Sequence, residues 1–324
     1  MPDSDFDITE RLAAALGVPV RDVQRLTGGA TRPTWAFEAE MAGGWQRLIL
    51  QRSVERAPLP GERTAALPRV TGGNDAAIQA AAAAAGVPVP PQVLVLRPEH
   101  GLGAGTVARF VPGETLGRRI VRDPPPGLAA QCGTVLARIH GLDPAALPFL
   151  HTMTTAQQVA AYRDIFDSYA HPHPLAEYAF RWVAERLPAD ERLTVVHGDF
   201  RNGNMIVDEQ GIAAVLDWEI AQVGDPMQDL GWLCVRTWRF GGARPVGGFG
   251  SYDELFAAYE AESGRPVDVD RVRFWEAFGC LKWAVMCMMK GQRPRFGAAQ
   301  TLEAAAIGRR MDEPLWDFLR LVDG

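Results

Sequence analysis

The spacing of apolar and polar residues changes character along this chain. Residues 9–16 carry apolar side chains at helical intervals and stop at Gly17 and Pro19. Short runs at 23–26, 34–40 and 47–51 follow, separated by glycine-containing bends at 27–31 and 41–44, and predict an antiparallel meander. A stretch rich in Pro and Arg at 53–73 reads as a loop. Asn74 or Asp75 then caps an alanine-rich helix over 76–85, ended by Gly86 and Pro88. Runs at 93–96 and 106–111 flank a Gly-rich turn and predict a second hairpin. From Gly117 onward the pattern is mostly helical, with helices expected over 128–140, 156–169 and 175–187. A compact β segment at 193–217 follows, then helices from 226 to the end. The expected class is α+β in two lobes: a small antiparallel-sheet lobe with one helix over 1–110, and a larger, mostly helical lobe over 111–324.

Composition narrows the functional classes. With 324 residues, 47% of them apolar, the chain has material for two lobes sharing a cleft. A net charge of −6 gives no support to nucleic-acid or anionic-membrane partners, which call for a basic face. Cys132, Cys234, Cys280 and Cys287 form no C-x-x-C pair and no regular spacing, so reduced, buried thiols in the cytoplasm are expected. The acidic start Met1-Pro2-Asp3-Ser4-Asp5 lacks the basic-then-apolar order of a signal peptide. The apolar stretch 274–289 contains Glu276 and Lys282 and falls short of the about 20 residues that span a bilayer, so it reads as a buried helix.

The chemistry concentrates in His197-Gly198-Asp199-Phe200-Arg201-Asn202-Gly203-Asn204. Asp199 and Asn204 have the interval of the Asp and Asn in the kinase catalytic loop H-R-D-x-x-x-x-N. An apolar strand at 205–207, a polar turn at 208–211 and a second strand at 212–216 then form a hairpin ending at Asp217. Closing that hairpin makes Asn204 and Asp217 neighbours, and an amide oxygen beside a carboxylate suits magnesium, which keeps waters and shares its shell with phosphates. Asp199, just ahead of this pair, is placed to accept the proton of an incoming hydroxyl.

Segment 197–231 resembles the catalytic motif of the aminoglycoside phosphotransferase and choline kinase superfamily. Leu216-Asp217-Trp218-Glu219 and Gly224-Asp225-Pro226-x-x-Asp229-Leu230-Gly231 are especially similar to its branch related to acyl-CoA dehydrogenase fusion proteins. The resemblance is sharp at 197–231 and extends more loosely from Leu26 to about Met289. It implies a bilobal, protein-kinase-like fold, ATP and magnesium as cofactors, and a small-molecule hydroxyl as acceptor. It makes Asp199 the catalytic base and Asn204 and Asp217 the metal ligands. Gly28, Gly29, Ala30 and Thr31 take the place of the phosphate-covering loop, and Val111 lies in the inter-lobe hinge that meets the adenine edge. One position departs from the pattern. Where related kinases carry a third-strand Lys, this chain reads Leu48-Ile49-Leu50-Gln51-Arg52, with Gln51 in the Lys slot and Arg52 one residue late. Arg52, or else Arg47, is the expected phosphate contact, with Asp75 as the ion partner. Asp225 and Asp229 are expected to brace the loop and cap the helix that begins near Pro226.

Other segments carry weaker signals. Gly101-x-Gly103-x-Gly105 precedes a strand rather than a helix, so it predicts a hairpin turn and not a dinucleotide fingerprint. His140 reads as packing or a helix cap, and His171 and His173 as a solvated loop. Trp232, Trp238, Phe240 and Trp275 are candidates for an acceptor pocket or for the core. Arg236 and Arg239 are candidates for an anionic acceptor, and the glycine-rich segment 241–250 for a lid. The acceptor implied by the branch resemblance is a hydroxyacyl-CoA or related acid. An antibiotic or amino-alcohol kinase and an inactive nucleotide-binding module are the alternatives.

Overall fold

A computed structural model describes residues 5–26, 32–53, 67–70, 73–297 and 301–323. The helix α1 (Asp5–Leu16) precedes three strands, β1 (Val20–Leu26), β2 (Thr34–Met41) and β3 (Gly44–Arg52). After α2 (Asn74–Ala84) come β4 (Gln92–Val95) and β5 (Gly105–Arg109), which complete a five-stranded antiparallel sheet of order β1-β2-β3-β5-β4. Alternation along the strands sorts the side chains. Trp35 pairs with Leu50 and Phe37 with Leu48 across β2 and β3, and these four bury with Val107 against Ile8 and Leu12 of α1. Ile8 and Leu12 lie one helical turn apart, so one face of α1 covers one face of the sheet. Gly101 and Gly103 sit in the β4–β5 connection, as the hairpin reading expects.

Ile78 and Ala82 of α2 belong to the larger cluster of buried side chains, with Ile120, Cys132 and Leu136, rather than to the sheet's own cluster. Alternating small residues let α2 approach that cluster closely, and its Ala76 carbonyl accepts a 3.0 Å hydrogen bond from Gln92 Nε2. Past β5 the chain crosses to the helical part through 110–116. There Glu114 exchanges two backbone hydrogen bonds with Val207, at 2.7 and 2.9 Å. Gly113 has φ +145°, and a Cβ there would meet Ile206 Cγ2 at 2.5 Å, so only glycine lets the connector lie this close to the later hairpin.

The helical part comprises α3 (Gly117–Arg122), α4 (Leu128–His140), α5 (Thr155–Ser168), α6 (Pro174–Ala184), α7 (Met227–Cys234), α8 (Tyr252–Ser263), α9 (Val269–Gln292), α10 (Leu302–Gly308) and α11 (Asp312–Val322). Helix α9 is buried over most of its circumference, with Trp275, Phe278, Leu281 and Val285 all inside, which accounts for its apolar sequence. Among the described residues no helix is long and apolar enough to cross a membrane. The four cysteines are free and buried.

Two small β units sit within this part. Strands β7 (Met205–Asp208) and β8 (Gly211–Val215) form the expected hairpin. Strand β6 (Thr194–Val196) pairs instead with β9 (Gln222–Gly224), a three-residue strand too short to stand out from its sequence. The segment 241–250 differs from expectation. Val246 and Phe249 are buried, and Asn202 Nδ2 donates to the carbonyls of Trp238 and Gly247 at 3.1 and 2.6 Å. Its glycines serve close packing against 239 and the catalytic loop, and the segment is no lid.

Candidate active site

The loop that follows β6 is held by its own backbone. Both oxygens of the buried Asp229 accept main-chain hydrogen bonds, from His197 N–H at 2.7 Å and Gly198 N–H at 2.8 Å. His140 Nε2 donates to Asp229 at 3.2 Å, and Tyr259 donates its hydroxyl to His140 Nδ1 at 3.0 Å. A carboxylate only accepts, which puts a proton on His140 Nε2, and a neutral ring then accepts at Nδ1. His140 is therefore neither a helix cap nor plain packing; it is the second link of a buried bracing chain. Burial would raise the Asp229 pKa, but the His140 hydrogen bond and the imidazoles beside it bring it below the ordinary carboxylate value. Asp225 caps α7 through Met227 N–H at 2.9 Å and accepts from Trp275 Nε1 at 3.0 Å. Asp229 thus braces the loop as the resemblance implied, while Asp225 instead ties the start of α7 to α9.

His197 donates from Nε2 to the Leu216 carbonyl at 3.0 Å and accepts the Asp199 N–H at Nδ1, 3.2 Å. Burial lowers its pKa, so it acts as a neutral spacer between the catalytic loop and the end of the hairpin. Gly198 has φ +81°, and a Cβ there would stand 2.7 Å from the Ile220 carbonyl. A side chain at this bend would push Asp199 out of place.

Asp199, Asn204 and Asp217 come together. Asn204 Nδ2 donates to Asp199 Oδ2 at 2.6 Å and to the Asp199 carbonyl at 2.9 Å. Leu216 N–H donates to the Asn204 carbonyl at 2.8 Å, which sets Asp217 beside the hairpin's entry. Asp217 adopts a left-handed backbone, φ 63°, a conformation Asp tolerates and one that aims its side chain off the line of β8. Its pKa is pushed up to about 7, by burial first and then by the Glu219 and Asp199 carboxylates, with Arg32 and Arg201 opposing. Burial and two neighbouring carboxylates thus hold Asp217 toward its neutral form, a state that a bound cation would reverse. Among the described residues no group of three or more His, Cys, Asp or Glu is placed to hold a metal. The Asn204–Asp217 pair instead offers two hard oxygens, the chemistry that suits magnesium sharing its shell with phosphate and water.

Two unpredicted residues also hold Asp199. Trp232 Nε1 donates to its Oδ1 at 2.7 Å, and Arg201 Nε donates to the same oxygen at 2.9 Å while its guanidinium lies 4.3 Å from the centre of the Trp238 ring. Arg201 stands two residues from Asp199 and was legible as a charge near the motif; Trp232 required the packing of α7.

The cation at the sheet's edge is not the expected one. Asp75 pairs with Arg32 at 2.5 Å, both buried, and Arg32 also lies 3.5 Å from Glu219. Arg52 shares the strand face of Leu48 and Leu50, with its guanidinium 5.7 Å from the centre of the Trp35 ring. The expected Arg52–Asp75 pair is thus replaced by Arg32–Asp75, because neighbours on a strand face opposite sides. Gly28, Gly29, Ala30 and Thr31 fall outside the described residues. Val111 lies in the connector between β5 and Glu114, partly exposed. Arg239 is tied to Glu276 at 2.8 Å and Arg236 to Asp317 at 3.3 Å, so neither faces the Asp199 cluster as a free cation. His173 caps α6 through Ala176 N–H, 3.3 Å, and meets Asp312 at 2.8 Å.

A five-stranded sheet before a helical part, with an Asp-loop-Asn and a hairpin ending in Asp, defines a kinase-like phosphotransferase. The sequence matches the phosphotransferase enzyme family over residues 22–275, and the chain belongs to that family. Over 160 residues it is 31% identical to acyl-CoA dehydrogenase family member 10 of Mus musculus, covering 45% of this chain and 15% of that protein. The chain therefore spans a small part of that relative's length. A Ralstonia eutropha structure assigned to the aminoglycoside phosphotransferases superposes with a TM-score of 0.74 at 23% identity, over 96% of this chain and 98% of that one. A spectinomycin phosphotransferase solved with ADP and spectinomycin superposes with a TM-score of 0.65 at 13% identity, over 98% and 99%. These likenesses are of fold.

Proposed function

We propose that this enzyme transfers the γ-phosphoryl group of ATP to a hydroxyl of a small molecule, with Asp199 as the general base. The observation that supports this reading is the 2.6 Å bond of Asn204 to Asp199, beside a hairpin whose last residue before Asp217, Leu216, is hydrogen-bonded to the Asn204 carbonyl. As the acceptor oxygen bonds to the γ-phosphorus, the bond from that phosphorus to the ADP oxygen breaks. The hydroxyl proton passes to the Asp199 carboxylate, leaving ADP and a phosphate ester. Trp232 and Arg201 hold Oδ1 of Asp199 in place for that transfer. Magnesium, held by Asn204 and Asp217, supplies neutralisation of the phosphate charge. Arg32, just before β2 and 3.5 Å from Glu219, and Gly28–Thr31 are the proposed contacts for the phosphates, and Val111 for the adenine edge. The mouse relative's name and the notable likeness of 216–231 to that branch favour a hydroxyacyl-CoA or a related acid as acceptor.

The test is Asp199→Asn. Turnover of a small-molecule extract with ATP and magnesium, followed by mass, is expected to fall about 10²–10⁴-fold while ATP binding by calorimetry persists. Wild-type and mutant protein that bind ATP alike, with neither consuming it, would make the chain a silent nucleotide binder.

A further inference from the structure

Lys282 of α9 is 8% exposed, and its ammonium takes part in no hydrogen bond or ion pair among the described residues. The ammonium lies 5.2 Å from the centre of the Trp232 ring, 5.5 Å from that of Tyr162, and 5.9 Å from those of Trp275 and Phe278. Aromatic faces attract a cation but use none of its three N–H donors, and a charge buried without an anionic partner costs several kcal/mol in general. A methionine would fill the same space without that cost. One indole separates this cation from the proposed base, since Trp232 Nε1 is bonded to Asp199. Burial lowers the Lys282 pKa to about 8, with the Asp229 and Asp199 carboxylates opposing. The pKa of Tyr162, whose ring lies 5.5 Å from the ammonium, is pushed up by burial and by the Asp199 charge, with Arg69 opposing.

We infer that Lys282 determines acceptor specificity, reading an anionic group that the acceptor carries close to its reacting hydroxyl. This rests on the phosphotransferase reading above. The acceptor's carboxylate or phosphate takes the donors that the protein leaves unused, and its hydroxyl then points past Trp232 to Asp199. A cationic acceptor, such as an amino alcohol, meets repulsion at the same spot.

A small-molecule extract split by ion exchange into anionic, neutral and cationic pools tests this with wild-type enzyme, magnesium and ATP labelled at the γ-position. Labelled product is expected from the anionic pool only, and phosphatase treatment of that pool beforehand separates a phosphate ester from a carboxylate as the recognised group. Product confined to the neutral or cationic pool overturns the inference and leaves the phosphotransferase reading standing. Product from no pool counts against that reading and takes the inference with it. For the acceptor found, Lys282→Met is expected to raise KM about tenfold or more and leave the KM for ATP unchanged, with a higher melting temperature; Lys282→Arg recovers part of the loss. An unchanged acceptor KM in Lys282→Met overturns the inference.

Discussion

Trp232 donates its indole N–H to Asp199 Oδ1 at 2.7 Å, joining α7 to a loop residue 33 positions earlier in the chain. The oxygen it engages is the one that Arg201 also holds, while Asn204 holds the other. A carboxylate gripped at both oxygens cannot turn away from an incoming hydroxyl, and the grip comes from two separate stretches of sequence, the catalytic loop and α7.

Removing that one donor tests its worth. Trp232→Phe keeps an aromatic ring near Trp238, whose centre is 5.1 Å away, but loses the N–H. A hydrogen bond to a charged group contributes about 1.5–3 kcal/mol. If the bond orients Asp199 in the transition state, kcat is expected to fall about tenfold to a hundredfold with little change in the KM for ATP. Steady-state kinetics at saturating acceptor measures this, and an unaltered kcat would reduce Trp232 to packing.

What could be read beforehand divides along physical lines. Asp199, Asn204 and Asp217 were legible because a short interval and one tight hairpin bring them together, and hairpin closure is a local event. The meander and the alanine-rich helix were legible from period and glycine placement. Arg32, Trp232 and His140 were not, since their partners Asp75, Asp199 and Asp229 lie 43, 33 and 89 residues away, nor was Lys282, whose contact with Trp232, 50 residues away, depends on how α9 packs. The expected Arg52–Asp75 pairing went unmet for a narrower reason. Charge type and strand position both favoured Arg52, yet strand alternation turned it toward Trp35.

The exchange of arginines has a consequence for nucleotide binding. Arg32 and Asp75 form a buried pair, 9% and 5% exposed at their side chains, and removing one partner strands the other. Arg32→Met is expected to cost about 3–5 kcal/mol of stability and to weaken ATP binding measurably. Arg52→Met, on the opposite strand face, is expected to weaken ATP binding far less. Paired melting curves and calorimetric titrations of the two variants check this; equal losses of ATP affinity would return Arg52 to the site.

Asp217 makes the cluster sensitive to pH near neutrality. In the folded protein its pKa stands near 7, against the ordinary 3.8, because burial and the Glu219 and Asp199 carboxylates disfavour its charge. A raised folded-state value means that the group's stabilising contribution is complete below 3.8 and is lost as pH rises through 7. Metal-free protein is therefore expected to lose melting temperature between pH 6 and 8 relative to Asp217→Asn, in which that position no longer ionises. A cation reverses the trend by favouring the charged carboxylate, so magnesium with nucleotide is expected to raise the wild-type melting temperature more at pH 8 than at pH 6. Apparent magnesium affinity is expected to fall up to about tenfold per pH unit below 7, as protons compete for the same oxygens. Differential scanning fluorimetry of the two proteins across this range, with and without magnesium and ATP, measures both slopes. Parallel curves for wild type and Asp217→Asn would mean that Asp217 is already ionised at pH 6, and the proposal of Asp217 as a metal ligand would lose its electrostatic support.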